Sequence, residues 1–284
     1  MAETAGRAGA TLALTALTLV AFASNSLLAR VALRGGEIDA VGFTAVRLIS
    51  GAALLWLLVL APRREGPRRA SGAWISGLVL FAYAILFSLA YLQLTAGTGA
   101  LVLFGAVQVT MISVGLWEGD RLRPMQVLGA ALAAGGLVYL AMPGVEAPPL
   151  GGALLMAGSG VAWGVYSLLG RSASDPASAT AVNFVWAAPM GFATALAFLP
   201  SVRLGAAGVA WAALSGGITS GLGYVLWYRV LPRLGSLRGA VAQLAVPVLA
   251  AVGGVALLRE EIPVRLVVAT VITLGGVALA LRRR

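Results

Sequence analysis

The sequence predicts an all-α polytopic membrane protein: ten transmembrane helices arranged as two inverted five-helix repeats, residues 1–145 and 146–284. Three observations carry that prediction. The first is composition: 60% of the 284 residues are hydrophobic and 11% are charged, with a mean hydropathy of +0.95. A soluble domain averages about 45–50% apolar and about 25% charged residues, so this chain has too little polar surface to cover a water-facing globule. The second is a series of apolar runs, each near the roughly 20 residues that cross about 30 Å of hydrocarbon. The third is an internal echo at a steady offset of about half the chain.

Ten apolar windows fall near 10–33, 39–61, 71–94, 97–117, 124–142, 150–170, 178–200, 207–230, 235–258 and 263–281. The first carries Ser24-Asn25-Ser26 in its middle and lacks a small-residue cleavage site, so it reads as a span and not a signal peptide. The second contains Arg47, eight residues past Asp39, or ~12 Å into the bilayer at 1.5 Å per residue. A charge there costs about 2–3 kcal/mol unless it snorkels or pairs. Bonding to carbonyls or to the loop acids Glu37 and Asp39 is the expected remedy. Between the third and fourth spans stand only Thr95-Ala96, which forces the neighbours antiparallel. Gly135-Gly136 in the fifth span and Gly275-Gly276 in the tenth make surfaces smooth enough for close backbone approach. In the eighth, Gly216-Gly217, Gly221 and Gly223 do the same or mark a flexing point. Pro247 removes the hydrogen bond to the carbonyl four residues back, so it should kink the ninth span as a hinge or a fixed bend.

Charge placement sets direction. The formal net charge is +10, and all 20 basic residues are arginine. A patch for nucleic acid is one use of such charge; membrane topology is the plainer one. With the N-terminus in the cytoplasm, fourteen arginines fall inside: Arg7, four over 63–69, Arg121, Arg123, Arg171, Arg229, Arg233, Arg238 and Arg282 to Arg284. Five fall outside: Arg30, Arg34, Arg203, Arg259 and Arg265. The positive-inside rule then predicts that both termini are cytoplasmic and argues against a nucleic-acid partner. No cysteine or histidine occurs, which excludes disulfides, thiol nucleophiles, Cys/His metal sites and histidine-based intramembrane proteolysis.

The echo recurs at four places. Ser26-Leu27-Leu28-Ala29-Arg30 returns as Ser167-Leu168-Leu169-Gly170-Arg171, an offset of 141. Ala106-Val107-Gln108-Val109 returns as Ala245-Val246-Pro247-Val248 at 139, and Gly135-Gly136 as Gly275-Gly276 at 140. Gly-Asp-Arg-Leu at 119–122 stands where Arg-Glu-Glu-Ile stands at 259–262. Because five is odd, the second copy enters the bilayer from the opposite face. Inverted repeats of this kind are a hallmark of secondary transporters, in which two similar halves exchange conformations around a central site.

These residues resemble the drug/metabolite transporter superfamily, in its EamA branch. The likeness spans residues 10 to 281. It is carried by the Ser26–Arg30 helix end, Arg47 with Leu-Ile-Ser-Gly-Ala-Ala-Leu-Leu after it, Ala245–Val248, the acidic turn at Glu260 and the closing Gly-Gly-Val-Ala-Leu. The resemblance implies a ten-helix carrier in a bacterial inner membrane, moving a small molecule without cofactor or catalysis, for which a monomer suffices. One departure stands out. The family commonly has proline at mid-span in both halves, and Gln108 replaces it in the first, so unequal bending is expected.

Polar and aromatic residues at mid-depth are the candidate substrate contacts: Phe22, Asn25, Tyr83, Gln108, Trp163, Tyr166, Trp186, Tyr224 and Gln243. Phe22 matches Trp163, and Asn25 matches Tyr166, at the offset of 141. The deep amides Asn25, Gln108 and Gln243 serve either interhelical hydrogen bonds or the wall of a wet cavity. Tyr91, Trp227 and Tyr228 sit near span ends, where aromatic belts are ordinary. No acid falls at mid-depth, so the chamber reads as neutral. A neutral, aromatic chamber suits a zwitterion with an apolar side chain, best an aromatic or large apolar amino acid moving outward by alternating access. Nucleotide sugars or sugar phosphates, which want facing cations, are the alternative cargo, and a channel-like passive facilitator is the alternative mode.

Overall fold

A computed structural model describes residues 2–60, 73–117, 124–142, 144, 147–171 and 173–280. The arginines at 63–69, 121, 123 and 282–284, and the turn at 119–122, lie outside them. The described residues form helices α1 (Ala2–Arg34), α2 (Ala40–Leu55), α3 (Ala73–Ala90), α4 (Ala96–Trp117), α5 (Pro124–Ala141), α6 (Leu150–Gly170) and α7 (Pro176–Ala197). They continue with α8 (Ala206–Leu214), α9 (Gly223–Gln243), α10 (Ala245–Leu258) and α11 (Val264–Ala280). A π-helical turn, Trp56–Leu60, extends α2, and a second, Ser215–Leu222, joins α8 to α9. Among the described residues, eight helical stretches are long and apolar enough to cross a membrane; α10 and α11 are shorter, at 14 and 17 residues. The protein is an all-helical polytopic membrane protein.

Local chemistry explains several helix starts. Asp39 caps α2, its Oδ1 accepting from the backbone N–H of Val41 at 2.8 Å and of Gly42 at 2.9 Å. Such a cap satisfies donors that the first turn cannot. Its Oδ2 accepts from Arg203 N at 2.5 Å, and Gly205 N donates to Glu37 O at 2.6 Å. The loops before α2 and α8 are thereby tied together. Asp175 caps α7 by accepting from Ser178 N, with Pro176 in the first turn, where its missing N–H costs nothing.

The sequence places a loop between the eighth and ninth spans near residues 231–234; the backbone there is helical instead. It runs unbroken from Ala206 to Gln243 and turns at Leu244. The reason is Pro247. Gln243 is the residue whose carbonyl Pro247 cannot serve, so the break falls there, and Pro247 lies in the first turn of α10, where a proline is tolerated. In the first half, Gln108 sits within an uninterrupted α4 of 22 residues. The two corresponding segments therefore differ in shape, as the missing proline leads one to expect.

Helix packing builds one large core and a small separate cluster of Ala133, Leu244 and Val277. α5 lies along α11, α3 against α6 and α7, α2 against α7 and α8, and α4 against α6 and α10, while α1 touches α8, α9 and α10. The outer surface is rich in exposed Leu, Val and Trp, among them Leu12, Trp56, Trp74, Trp117 and Val271. Such a surface is stable against lipid and unstable in water.

Candidate functional site

Four aromatic residues from four helices meet at the centre. Phe22 of α1 and Trp163 of α6 stand edge to face, with ring centroids 5.8 Å apart. The hydroxyls of Tyr83 on α3 and Tyr224 on α9 lie 3.3 Å apart. Tyr83 and Tyr224 are themselves separated by 141 positions, like Phe22 and Trp163. The two pairs interlock: Trp163 to Tyr224 is 4.6 Å, Tyr83 to Trp163 is 5.0 Å, and Phe22 to Tyr224 is 5.9 Å between centroids. With Asn25, Ser26, Phe87 and Phe104 they line a cavity of about 20 Å³, room for about one water. In this conformation the site is contracted.

Asn25 sits at one wall. Its Oδ1 accepts from Ser215 at 2.9 Å, Thr219 at 2.6 Å and Ser220 at 3.1 Å, all on the π-helical turn before α9. Small residues let that turn press against α2; a Cβ on Gly216 would overlap the Arg47 carbonyl. π-Helical turns recur at functional sites because they redirect side chains. Here the turn aims three hydroxyls at one amide.

Arg47 is fully buried, at 1% exposure, and does not reach Glu37 or Asp39 as the sequence suggests. Its Nε donates to Ser220 Oγ at 3.0 Å, and its Nη2 donates to the hydroxyls of Tyr83 and Tyr224, each at 3.1 Å. The guanidinium also stacks over Phe87, 4.7 Å from the ring centroid, and over Tyr83 at 5.2 Å. Nη1 has no partner. The expectation of a neutral chamber is therefore corrected: one cation stands directly behind its tyrosines. The loop acids are out of reach because Asp39 already serves as the α2 cap.

The other expected residues separate into groups. Tyr166 is one layer back, stacked on Trp163 at 5.5 Å and accepting from Asn183 Nδ2 at 3.2 Å. Gln108 and Gln243 are buried but do not line the cavity; Gln108 Nε2 and Gln243 Oε1 have no partner among the described residues. Trp186 is half-exposed, its Cβ close to Gly77 of α3, and is apart from the cluster. Tyr91, Trp227 and Tyr228 do not form an interfacial belt. All are buried, and Trp227 meets the Phe22 ring at 5.7 Å while Tyr228 meets Tyr166 at 6.3 Å. Sequence reading missed Phe87. It lies one turn beyond Tyr83 and 141 positions before Tyr228, a signal that the repeat offset carries.

One turn beyond Ser26 on α1, Arg30 enters an ion pair. Its Nε donates to Glu260 Oε1 at 2.9 Å and its Nη1 to Tyr91 O at 2.9 Å, while Glu260 Oε2 accepts from Ala96 N at 2.8 Å. Arg259, in the left-handed conformation at φ 53°, ends α10 and turns Glu260 back toward α1. The pair itself lines a wide, open recess together with Arg34, Thr95, Arg259, Glu261 and Pro263.

Comparison with known proteins agrees with a transport scaffold. The model of the EamA-like transporter family matches residues 150–282. An uncharacterised protein of Pseudomonas aeruginosa is 54% identical over 274 residues, covering 96% of this chain and 95% of that protein. A probable terminal-alkyne amino-acid exporter of Streptantibioticus cattleyicolor is 26% identical across 94% of this chain and 92% of its own length. A solved crystal structure with 24% identity superposes with a TM-score of 0.64, covering 94% of this chain and 95% of that one, which supports the fold. The second half of the chain thus matches the EamA-like transporter family, and the chain is similar over nearly its whole length to a probable amino-acid exporter.

Proposed function

We propose that this protein is a secondary transporter that exports amino acids with aromatic or large apolar side chains by alternating access between two inverted five-helix repeats. The observation that carries the reading is the central meeting of residues at matching repeat positions, Phe22 with Trp163 and Tyr83 with Tyr224. A duplicated carrier related by an axis in the membrane plane would put equivalent side chains at that axis, where substrate binds. The packing supports this symmetry. Exchanging the halves maps the α1–α10 contact onto α6–α4 and the α3–α6 contact onto the contact of α8 and α9 with α1. It leaves α2–α7 and α5–α11 in place.

The cargo class follows from the walls. Aromatic faces favour an apolar or aromatic side chain, and they attract an ammonium group. A single buried arginine matches one carboxylate better than the two charges of a phosphate. The amino-acid exporter among the relatives is in line with this reading, as is the chain's resemblance to the bacterial aromatic amino-acid exporter YddG. The cavity's small volume marks a contracted state, so cargo entry requires the lining rings to part. With no acid at mid-depth, the default energetics are downhill movement along the cargo's own gradient. The arginine distribution supports cytoplasmic termini.

Proteoliposomes tested with a panel of labelled amino acids, with and without a pH gradient, decide the matter. Saturable uptake of aromatic or large apolar amino acids, unchanged by the gradient, is expected. Uptake of a sugar phosphate with none of any amino acid would reverse the assignment, and flux that never saturates would indicate a passive pore.

A further inference from the structure

We propose that Arg47, Tyr83 and Tyr224 form a carboxylate seat, so that a free carboxylate, and not an ammonium group, is the feature of the cargo that this protein requires. The inference rests on the reading of the central cavity as the substrate site, and it names the group recognised there.

Donor hydrogens outnumber acceptors around Arg47. The guanidinium offers one hydrogen on Nε and two on each terminal nitrogen. Nε donates to Ser220, which passes its own hydrogen to Asn25 Oδ1, and Asn25 Oδ1 already accepts from Ser215 and Thr219. The two Nη2 hydrogens go to the two phenol oxygens. One phenol donates to the other across 3.3 Å. That leaves both Nη1 hydrogens with no acceptor among the described residues. The cluster is fully supplied with donors and short of acceptors.

Charge repeats the same imbalance. Every hydrogen-bond partner of Arg47 among the described residues is a neutral hydroxyl. A cation buried to 1% exposure is ordinarily paired with a carboxylate, because neutral partners do not replace the lost water. The loop acids cannot supply it, since Asp39 caps α2 and pins Arg203 N. Both phenols line the cavity and bond to Arg47 behind them, so they connect the buried charge to the cavity. A carboxylate fits: two oxygens for phenol and guanidinium hydrogens, and one negative charge for one cation. Phe22, Trp163 and Phe104 remain free to hold the apolar remainder of the molecule.

The test is binding of three probes to the purified full-length protein in detergent, by calorimetry: L-phenylalanine, L-phenylalaninamide and 3-phenylpropionate. The first and third carry the carboxylate, and the second carries only the ammonium. Wild-type protein should bind phenylalanine at least about tenfold more tightly than the amide, the weight of a charge-assisted hydrogen bond or two. Tyr83→Phe should shrink that preference to within about threefold while the protein keeps its wild-type elution as a folded species. Arg47→Lys should shrink it as well, because a point charge cannot serve two phenols and a ligand at once. Equal binding of phenylalanine and its amide by wild type, or an undiminished preference in folded Tyr83→Phe, overturns the seat. Binding of phenylpropionate without phenylalanine sustains the seat and overturns the amino-acid reading. Tight binding of the amide alongside phenylalanine does the reverse, and binding of none of the three overturns both.

Discussion

At the scale of single residues, side chains that join three helices carry more than their hydropathy suggests. Glu260 is the clearest. Its carboxylate holds Arg30 of α1 and the backbone N–H of Ala96 at the start of α4, from the end of α10. Glu260→Ala leaves the Arg30 charge without its carboxylate and the Ala96 donor unmet, both in a region largely shielded from water. Losing one partner of such a buried pair costs about 2–4 kcal/mol. The expected outcome is a melting temperature in detergent several degrees below wild type, with Glu260→Gln intermediate because its amide oxygen still accepts from Ala96. An unchanged melting temperature in Glu260→Ala would show that the pair does not bind the helices together. The sequence exposed Glu260 as an acidic turn and Arg30 as a helix end, but not their meeting across 230 positions. Arg47 escaped in the same way. Its depth was readable from its place in an apolar run, whereas its partners Ser220 and Tyr224 lie 173 and 177 positions away.

At the scale of helices, span positions were legible because hydrophobic runs and charged breaks follow bilayer thickness, and most helix boundaries fall within a few residues of the apolar windows. Which face of each helix turns inward was not. Lipid-facing and core-facing residues are both apolar in a membrane, so amphipathic periodicity fades. That is why Trp186 read like a site residue and Trp227 like a belt residue, while the structure has them the other way round in burial. The repeat offset is a better guide than hydropathy, since it pairs Phe22 with Trp163 from the sequence alone. The α5–α11 contact makes the point testable. In each Gly-Gly pair only one glycine touches the partner helix. A Cβ on Gly276 would fall 2.7 Å from the Gly129 carbonyl oxygen, and one on Gly136 would overlap Thr273, whereas Gly135 and Gly275 face open space. Gly275→Ala should therefore be neutral or stabilise by about 0.5–1 kcal/mol through helix propensity. Gly276→Ala should destabilise, because backbone must move to admit the methyl. Melting curves of the two neighbouring variants in detergent suffice, and equal effects would mean that α5 and α11 are not in this register.

At the scale of the whole molecule, the proposed mechanism stands on one topological statement: the two halves enter the membrane from opposite faces. Each half supplies one member of every central pair, so a rocking motion that closes one side can open the other without new contacts having to evolve. Unequal bending, with a broken helix at Leu244 and an unbroken α4 around Gln108, means that the two end states need not be mirror images. The Arg30–Glu260 ion pair then belongs to one side only, and it lines the wide recess there. Absence of cysteine makes the topology unusually clean to test, since a single introduced thiol is the only one in the chain. Gly35 and Ser174 are both exposed and follow the matching helices α1 and α6, and Gly35 has room for a side chain. In Gly35→Cys and Ser174→Cys proteins, an impermeant maleimide should label residue 35 from the periplasmic side of right-side-out vesicles and residue 174 only in inverted ones. Labelling of both from the same side would place the two halves parallel. A parallel pair has no axis in the membrane plane to bring Phe22 against Trp163 or Tyr83 against Tyr224 as equivalents, and alternating access by exchange of halves would then have no structural basis.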